Sequence, residues 1–129
     1  MPKAIDIRKV LDTLTPLKAR GPQTSDAEAA AAFANLAKFG NGAVFTGSFD
    51  GASPWERHQG GDELVQVLAG ETELTILGRE GGEDRLILKS GMLTVVPKGC
   101  WHRFNAPSGV TVLTVTPQPT EHSSADDPR

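Results

Sequence analysis

Residues 55–63 read Trp55-Glu56-Arg57-His58-Gln59-Gly60-Gly61-Asp62-Glu63, and Gly91, Pro97, Gly99 and His102 follow downstream. Residues two apart on a β-strand face the same side, so Glu56 and His58 share one face of a sheet. The glycines of Gln59-Gly60-Gly61-Asp62 let the chain reverse, and the next strand then turns Glu63, Val65 and Val67 inward together. His102 arrives from a later strand. If the shared face is a barrel interior, two imidazoles and two carboxylates converge in a site shielded from bulk water. Such a donor set suits one divalent ion, Zn, Fe(II), Mn(II) or Ni(II), and the lack of thiolates argues against a structural zinc knot. Glu56 has a second reading, because a bulge would turn it outward or bring it to an arginine.

The same strand logic extends along the chain. Short runs rich in Val, Leu, Thr and Phe, separated by Gly, Pro, Asp and Ser, begin after Asn41-Gly42. They predict strands near Val44–Phe49, Trp55–His58, Leu64–Leu68, Glu73–Leu77, Arg85–Leu88, Leu93–Val96, Trp101–Phe104 and Val110–Thr116. Residues 78–84 make a glycine-rich hairpin loop. Eight short antiparallel strands that close on themselves leave few edges exposed, so the fold class is all-β, a small barrel or jelly roll. Inward parity makes Phe104 a neighbour of His102 and places Val65 and Val67 with it as the substrate-pocket wall.

Outside that core, residues 1–42 read as a helical extension and 117–129 as a polar tail. Asp6 caps a helix carrying Ile7, Val10, Leu11 and Leu14, and Ser25 with Glu28 forms a capping box before a stripe of Ala29, Phe33 and Leu36 that stops at Gly40. The tail has no periodicity and is expected to be disordered or draped over the surface, which gives His122 no role. Cys100, Trp55 and Trp101 are expected to fill core space.

The 129 residues fit one domain, with 38% hydrophobic residues, no tyrosine and a formal net charge of −3. That charge argues against a nucleic-acid backbone or an anionic lipid surface as partner. Charges interrupt every apolar stretch at the N-terminus, which predicts neither a secretory leader nor a membrane span, and the single Cys100 is compatible with a reducing compartment. The expected location is the cytoplasm. Leu64 and Leu68 are apolar on the parity opposite to Val65 and Val67, which implies a sheet face covered by the helices or by a second copy in a homodimer.

These residues resemble the two motifs of the cupin superfamily. His58, Glu63 and Gly70 stand at the spacing of the first motif, whose leading histidine falls here on Glu56; Gly91, Pro97, Gly99 and His102 match the second, with Asn105 one residue early for its closing asparagine. The resemblance covers roughly residues 44–116. It implies a double-stranded β-helix, or jelly-roll barrel, at residues 43–116, with the N-terminal helices packed outside. It also implies a metal held by His58, Glu63 and His102 with Glu56 as fourth ligand, and dioxygenase, decarboxylase, isomerase or lyase chemistry on a small organic molecule. Glu63 and Glu56 would then alternate between ligand and proton shuttle as the catalytic groups. Fold does not choose among these reactions, and a non-catalytic ligand-binding or sensing cupin, or a structural cupin without metal, are the alternatives.

Overall fold

In the computed structural model, which describes Met1–Arg129, nine strands and two short helices alternate at the N-terminus and then give way to strands alone. The elements are α1 (Ile7–Asp12), β1 (Leu17–Arg20), α2 (Asp26–Ala32), β2 (Phe33–Phe39), β3 (Gly42–Ala52), β4 (Trp55–His58), β5 (Glu63–Leu77), β6 (Glu83–Lys89), β7 (Leu93–Val96), β8 (His102–Pro117) and β9 (Thr120–Ser123). No helix is long and apolar enough to cross a membrane.

The long strand β8 organises the sheet. It pairs antiparallel with β3 from Gly42↔Pro117 to Ala52↔Asn105, with β5 from Leu64↔Val115 to Ile76↔His102, and with β4 at Glu56↔His102. The hairpin partner β6 and the short β7 lie along β5. The curled sheet is the jelly-roll barrel expected from the strand pattern. Val65, Val67 and Leu74 are fully buried in its core with Val96, Cys100, Phe104, Val110 and Val112. Trp55, Leu77 and Trp101 form a second, smaller cluster. Its rings are covered by cations, with Arg57 4.5 Å from the Trp101 ring centre and Arg103 4.3 Å from that of Trp55.

Two pairs of expected strands are each one long strand, β5 and β8. Gly70 marks the join in β5: its φ of 73° belongs to the left-handed region, and the β5–β8 register shifts beside it. A Cβ at this position would collide with the carbonyl oxygen of Gly109 on β8, so glycine is required for both conformation and closeness. The strand bends there without ending.

The first 42 residues correct the sequence reading. The capping box of Ser25 and Glu28 forms as expected, but helix α2 stops at Ala32, and Phe33 and Leu36 lie on a strand. β2 pairs with β3 from Phe33↔Gly47 to Phe39↔Gly42, and β1 runs parallel to β3 on its other reach, at Leu17↔Phe49 and Arg20↔Gly51. Pairing satisfies backbone groups that a free β3 edge would leave open, and it sets Phe33 against Phe49 at 6.1 Å between ring centres. This segment is therefore part of the barrel sheet, with α1 ahead of β1 and α2 connecting β1 to β2. The tail is corrected in the same way, since Thr120–Ser123 pairs with β4 through Trp55↔Ser123 to His58↔Thr120.

Candidate metal centre

Strands β4, β5 and β8 deliver the site. His58 closes β4, Glu63 opens β5 after the glycine turn, and His102 opens β8 opposite Glu56. All three of His58, Glu63 and His102 are buried. Glu63 Oε1 lies 3.0 Å from His102 Nε2, and Glu63 Oε2 lies 3.3 Å from His58 Nε2. The two imidazole rings are 5.3 Å apart. Glu56, half-buried, has a carboxylate oxygen within 4.8 Å of the ring nitrogens of both histidines. Both histidines thus adjoin both carboxylates, and the group whose donor atoms all lie within 4.8 Å of one another is Glu56, His58 and His102.

Each donor is held from behind. His102 Nδ1 is 3.0 Å from the carbonyl oxygen of Cys100, which only accepts, so Nδ1 carries a hydrogen and Nε2 is the ring nitrogen turned to the site. His58 Nδ1 is 3.1 Å from Thr120 Oγ1. Thr116 Oγ1 donates to Glu63 Oε2 at 2.6 Å. On the inward side the picture reverses: His58 Nε2, His102 Nε2 and Glu63 Oε1 are buried without a hydrogen-bond partner. Close approach without hydrogen-bond alignment leaves three donor atoms near one another and unsatisfied. Burial without partners costs each of them on the order of 1–3 kcal/mol, and a cation held between them would satisfy all three. The residues present fit a divalent metal ion.

In the ion-free protein these groups balance each other. Burial alone would raise the Glu63 pKa, but His102 and His58, 3.0 and 3.3 Å from its oxygens, outweigh it and hold the carboxyl at about 2. Burial would lower His102, yet Glu63, then the Cys100 carbonyl and Glu56, raise it above the ordinary histidine value.

The site opens into a cavity of about 210 Å³ whose wall includes Phe33, Phe45, Phe49 and Phe104. That volume lies below the range of about 300–1,000 Å³ common for drug-sized ligands, which limits an occupant to a small molecule. Phe104, expected beside His102, lines the cavity with its ring edge-on to that imidazole at 6.4 Å. Val65 and Val67 do not line it. They are fully buried in the packed core cluster with Leu74, Val96 and Val112, where side chains and not open space surround them.

Two titratable cavity residues were missed from the sequence, Arg20 and His122. Arg20, on β1, reaches Glu56 Oε1 through Nη2 at 3.3 Å and lies over the rings of Phe49 and Phe33 at 4.7 and 5.4 Å. Burial lowers its pKa, against the opposing pull of Glu56. His122, on β9, pairs in register with Glu56 and also lines the cavity. Neither carries a local signal, since both arrive through pairings distant in sequence.

No curated protein matches the chain. Among solved structures it is similar to a cupin-2 domain containing protein from Shewanella frigidimarina, at 21% identity and a TM-score of 0.56 over 67% of this chain and 79% of that one. It is also similar to hydroquinone 1,2-dioxygenase from Sphingomonas sp. TTNP3 with 4-hydroxybenzoate bound, at 19% identity and TM-score 0.56 over 70% and 65% of the two chains. A variant of oxalate decarboxylase from Bacillus subtilis aligns at 20% identity and TM-score 0.55 over 60% of this chain, which spans only 21% of the decarboxylase. At these identities the likeness is one of fold. The profile of the cupin domain family matches residues 49–116, a segment that runs from the end of β3 to the end of β8 and takes in just over half of the chain, so the protein belongs to the cupin domain family.

Proposed function

We propose that this cupin binds one divalent metal ion through His58, His102 and Glu63, with Glu56 as a weaker fourth ligand, and acts on a small organic molecule in the adjoining cavity. The observation that carries this reading is the convergence of three buried, unpartnered donor atoms, His58 Nε2, His102 Nε2 and Glu63 Oε1. Nitrogen and carboxylate donors without thiolate favour Fe(II) or Mn(II), with Zn and Ni also accommodated. Such an ion supplies Lewis acidity and open coordination positions for substrate, water or oxygen.

The chain's own residues divide the remaining work. The phenylalanine wall excludes water and orients an apolar body toward the histidines. Glu56 stands on the cavity side of the site, paired with Arg20, where it can accept or return a proton on the bound molecule. Glu63 is committed to Thr116 and the histidines, and serves as ligand and charge balance. Turnover by metal-loaded protein over a panel of organic acids, thiols and catechols tests the enzymatic reading. Uptake of a ligand without product would identify a binding module.

A homodimer is part of the proposal. Val95, Leu64, Val115 and Val44 are successive register partners across β7, β5, β8 and β3, and Val95 and Leu93 are about half exposed, at 49% and 54%. This apolar row supports burial against a second copy. A monomer mass by light scattering at micromolar concentration would refute it. The buried, unpaired Cys100 supports a reducing, cytoplasmic setting.

A further inference from the structure

We infer that Arg20 makes the cavity selective for a small organic carboxylate with a flat apolar body, an inference that deepens the small-molecule reading above and rests on the same cavity. Three observations converge on this residue. The first is its delivery. Ala19, just before it, has a φ of 50°, a conformation few non-glycine residues adopt, and its N–H donates to Asp50 Oδ1 at 2.5 Å. The register of β1 on β3 shifts between Leu17 and Arg20, so Leu17 enters the core and Arg20, three residues on, enters the cavity. Gly51, its register partner, permits this approach, because a Cβ there would lie 2.5 Å from the Arg20 carbonyl oxygen.

The second observation is the state of the guanidinium. The Arg20 side chain is 15% exposed and spends one hydrogen bond, from Nη2 to Glu56 at 3.3 Å. A guanidinium has five N–H donors in a planar fork matched to the two oxygens of a carboxylate. The unused donors of a cavity-lining group can take a second carboxylate beside Glu56.

The third is the apolar frame. Phe33 and Phe49 lie under the guanidinium, and Phe49 meets Phe104 edge-on at 5.8 Å. Phe104 in turn adjoins His102. A ligand with its carboxylate on Arg20 would therefore lay its apolar body along these rings and direct its far end to the histidines. Glu56, a like charge on the same fork, would weaken the ligand's hold.

The test compares benzoate with its neutral isostere benzamide by calorimetric titration of the full chain, both as purified and after metal removal, with metal content measured on every preparation. Wild type is expected to bind benzoate at least about tenfold more tightly than benzamide in both states. Glu56→Gln should tighten benzoate. Arg20→Gln should erase the preference, and so should Arg20→Gln/Glu56→Gln, in which no unpaired carboxylate is left buried and folding is checked by circular dichroism. Equal binding of the two probes by wild type, no benzoate binding at millimolar concentration, or a preference that survives in the double variant would overturn the inference. A preference seen only with metal bound would place the anion on the ion and overturn it too. Because the apo titration stands apart from the metal measurement, loss of the metal reading leaves this result interpretable.

Discussion

Thr116 Oγ1 donates a hydrogen bond of 2.6 Å to Glu63 Oε2 within the barrel. A hydroxyl has one hydrogen, so the 2.8 Å contact between Thr114 and Thr116 must be a donation from Thr114, and a two-threonine relay fixes the carboxylate. The same function is performed for His102 by the Cys100 carbonyl and for His58 by Thr120. Partners of this kind orient metal ligands and set their basicity.

Thr116→Val removes the donor while keeping the shape of the side chain. Metal affinity should fall by about 10–100-fold, with the β-rich circular dichroism spectrum retained. Competition with a chromophoric chelator measures the loss. An unchanged affinity would mean that Glu63 needs no such anchor.

The coupled Glu63 and His102 give the metal-free protein a bounded pH range. Glu63 is depressed from 4.5 to about 2 on folding, so its contribution to stability is present above about 4.5 and is lost as pH falls toward 2. His102 is raised above 6.5, so its contribution is complete below that value and is lost as pH rises through its folded pKa. Urea midpoints of chelator-treated protein should therefore peak between about 4.5 and 6.5 as far as this pair is concerned, and His102→Ala should remove the decline on the alkaline side. Metal affinity should move oppositely, rising with pH, because Nε2 must lose its proton to ligate.

Gly70→Ala tests the bend that keeps β5 continuous. A left-handed alanine is strained by about 1–3 kcal/mol, and the collision with Gly109 adds to it. The urea midpoint should fall accordingly. A change of under about 0.5 kcal/mol, the size common at indifferent surface positions, would show that the strand relaxes around the methyl group.

How far the sequence discloses this molecule depends on the range of the interactions involved. β4 and β7 occupy the expected residues 55–58 and 93–96, since alternation and flanking turn residues are local signals. His58 and Glu63 are legible because the glycine turn and strand parity place them locally, and His102 because the spacing of Gly91, Pro97, Gly99 and His102 resembles a known motif. Phe33 and Leu36 fit a helical stripe equally well by period, and pairing with β3 decided for strand. Val65 shares inward parity with Glu63, but parity alone does not say where the interior is open and where it is packed. Arg20 and His122 depend on the parallel docking of β1 and the return of β9, contacts with no trace in their neighbouring residues.

The most direct test of the account is elemental analysis by mass spectrometry of untagged protein purified without chelator, alongside His58→Ala and His102→Ala variants shown to be folded. Near-stoichiometric divalent metal in the wild type and its loss from both variants is the predicted result, and the element found would select the substrate panel. Wild-type protein that contains no metal and takes up none when supplied with Fe(II), Mn(II), Zn or Ni would contradict the assignment of His58, Glu63 and His102 as a metal centre.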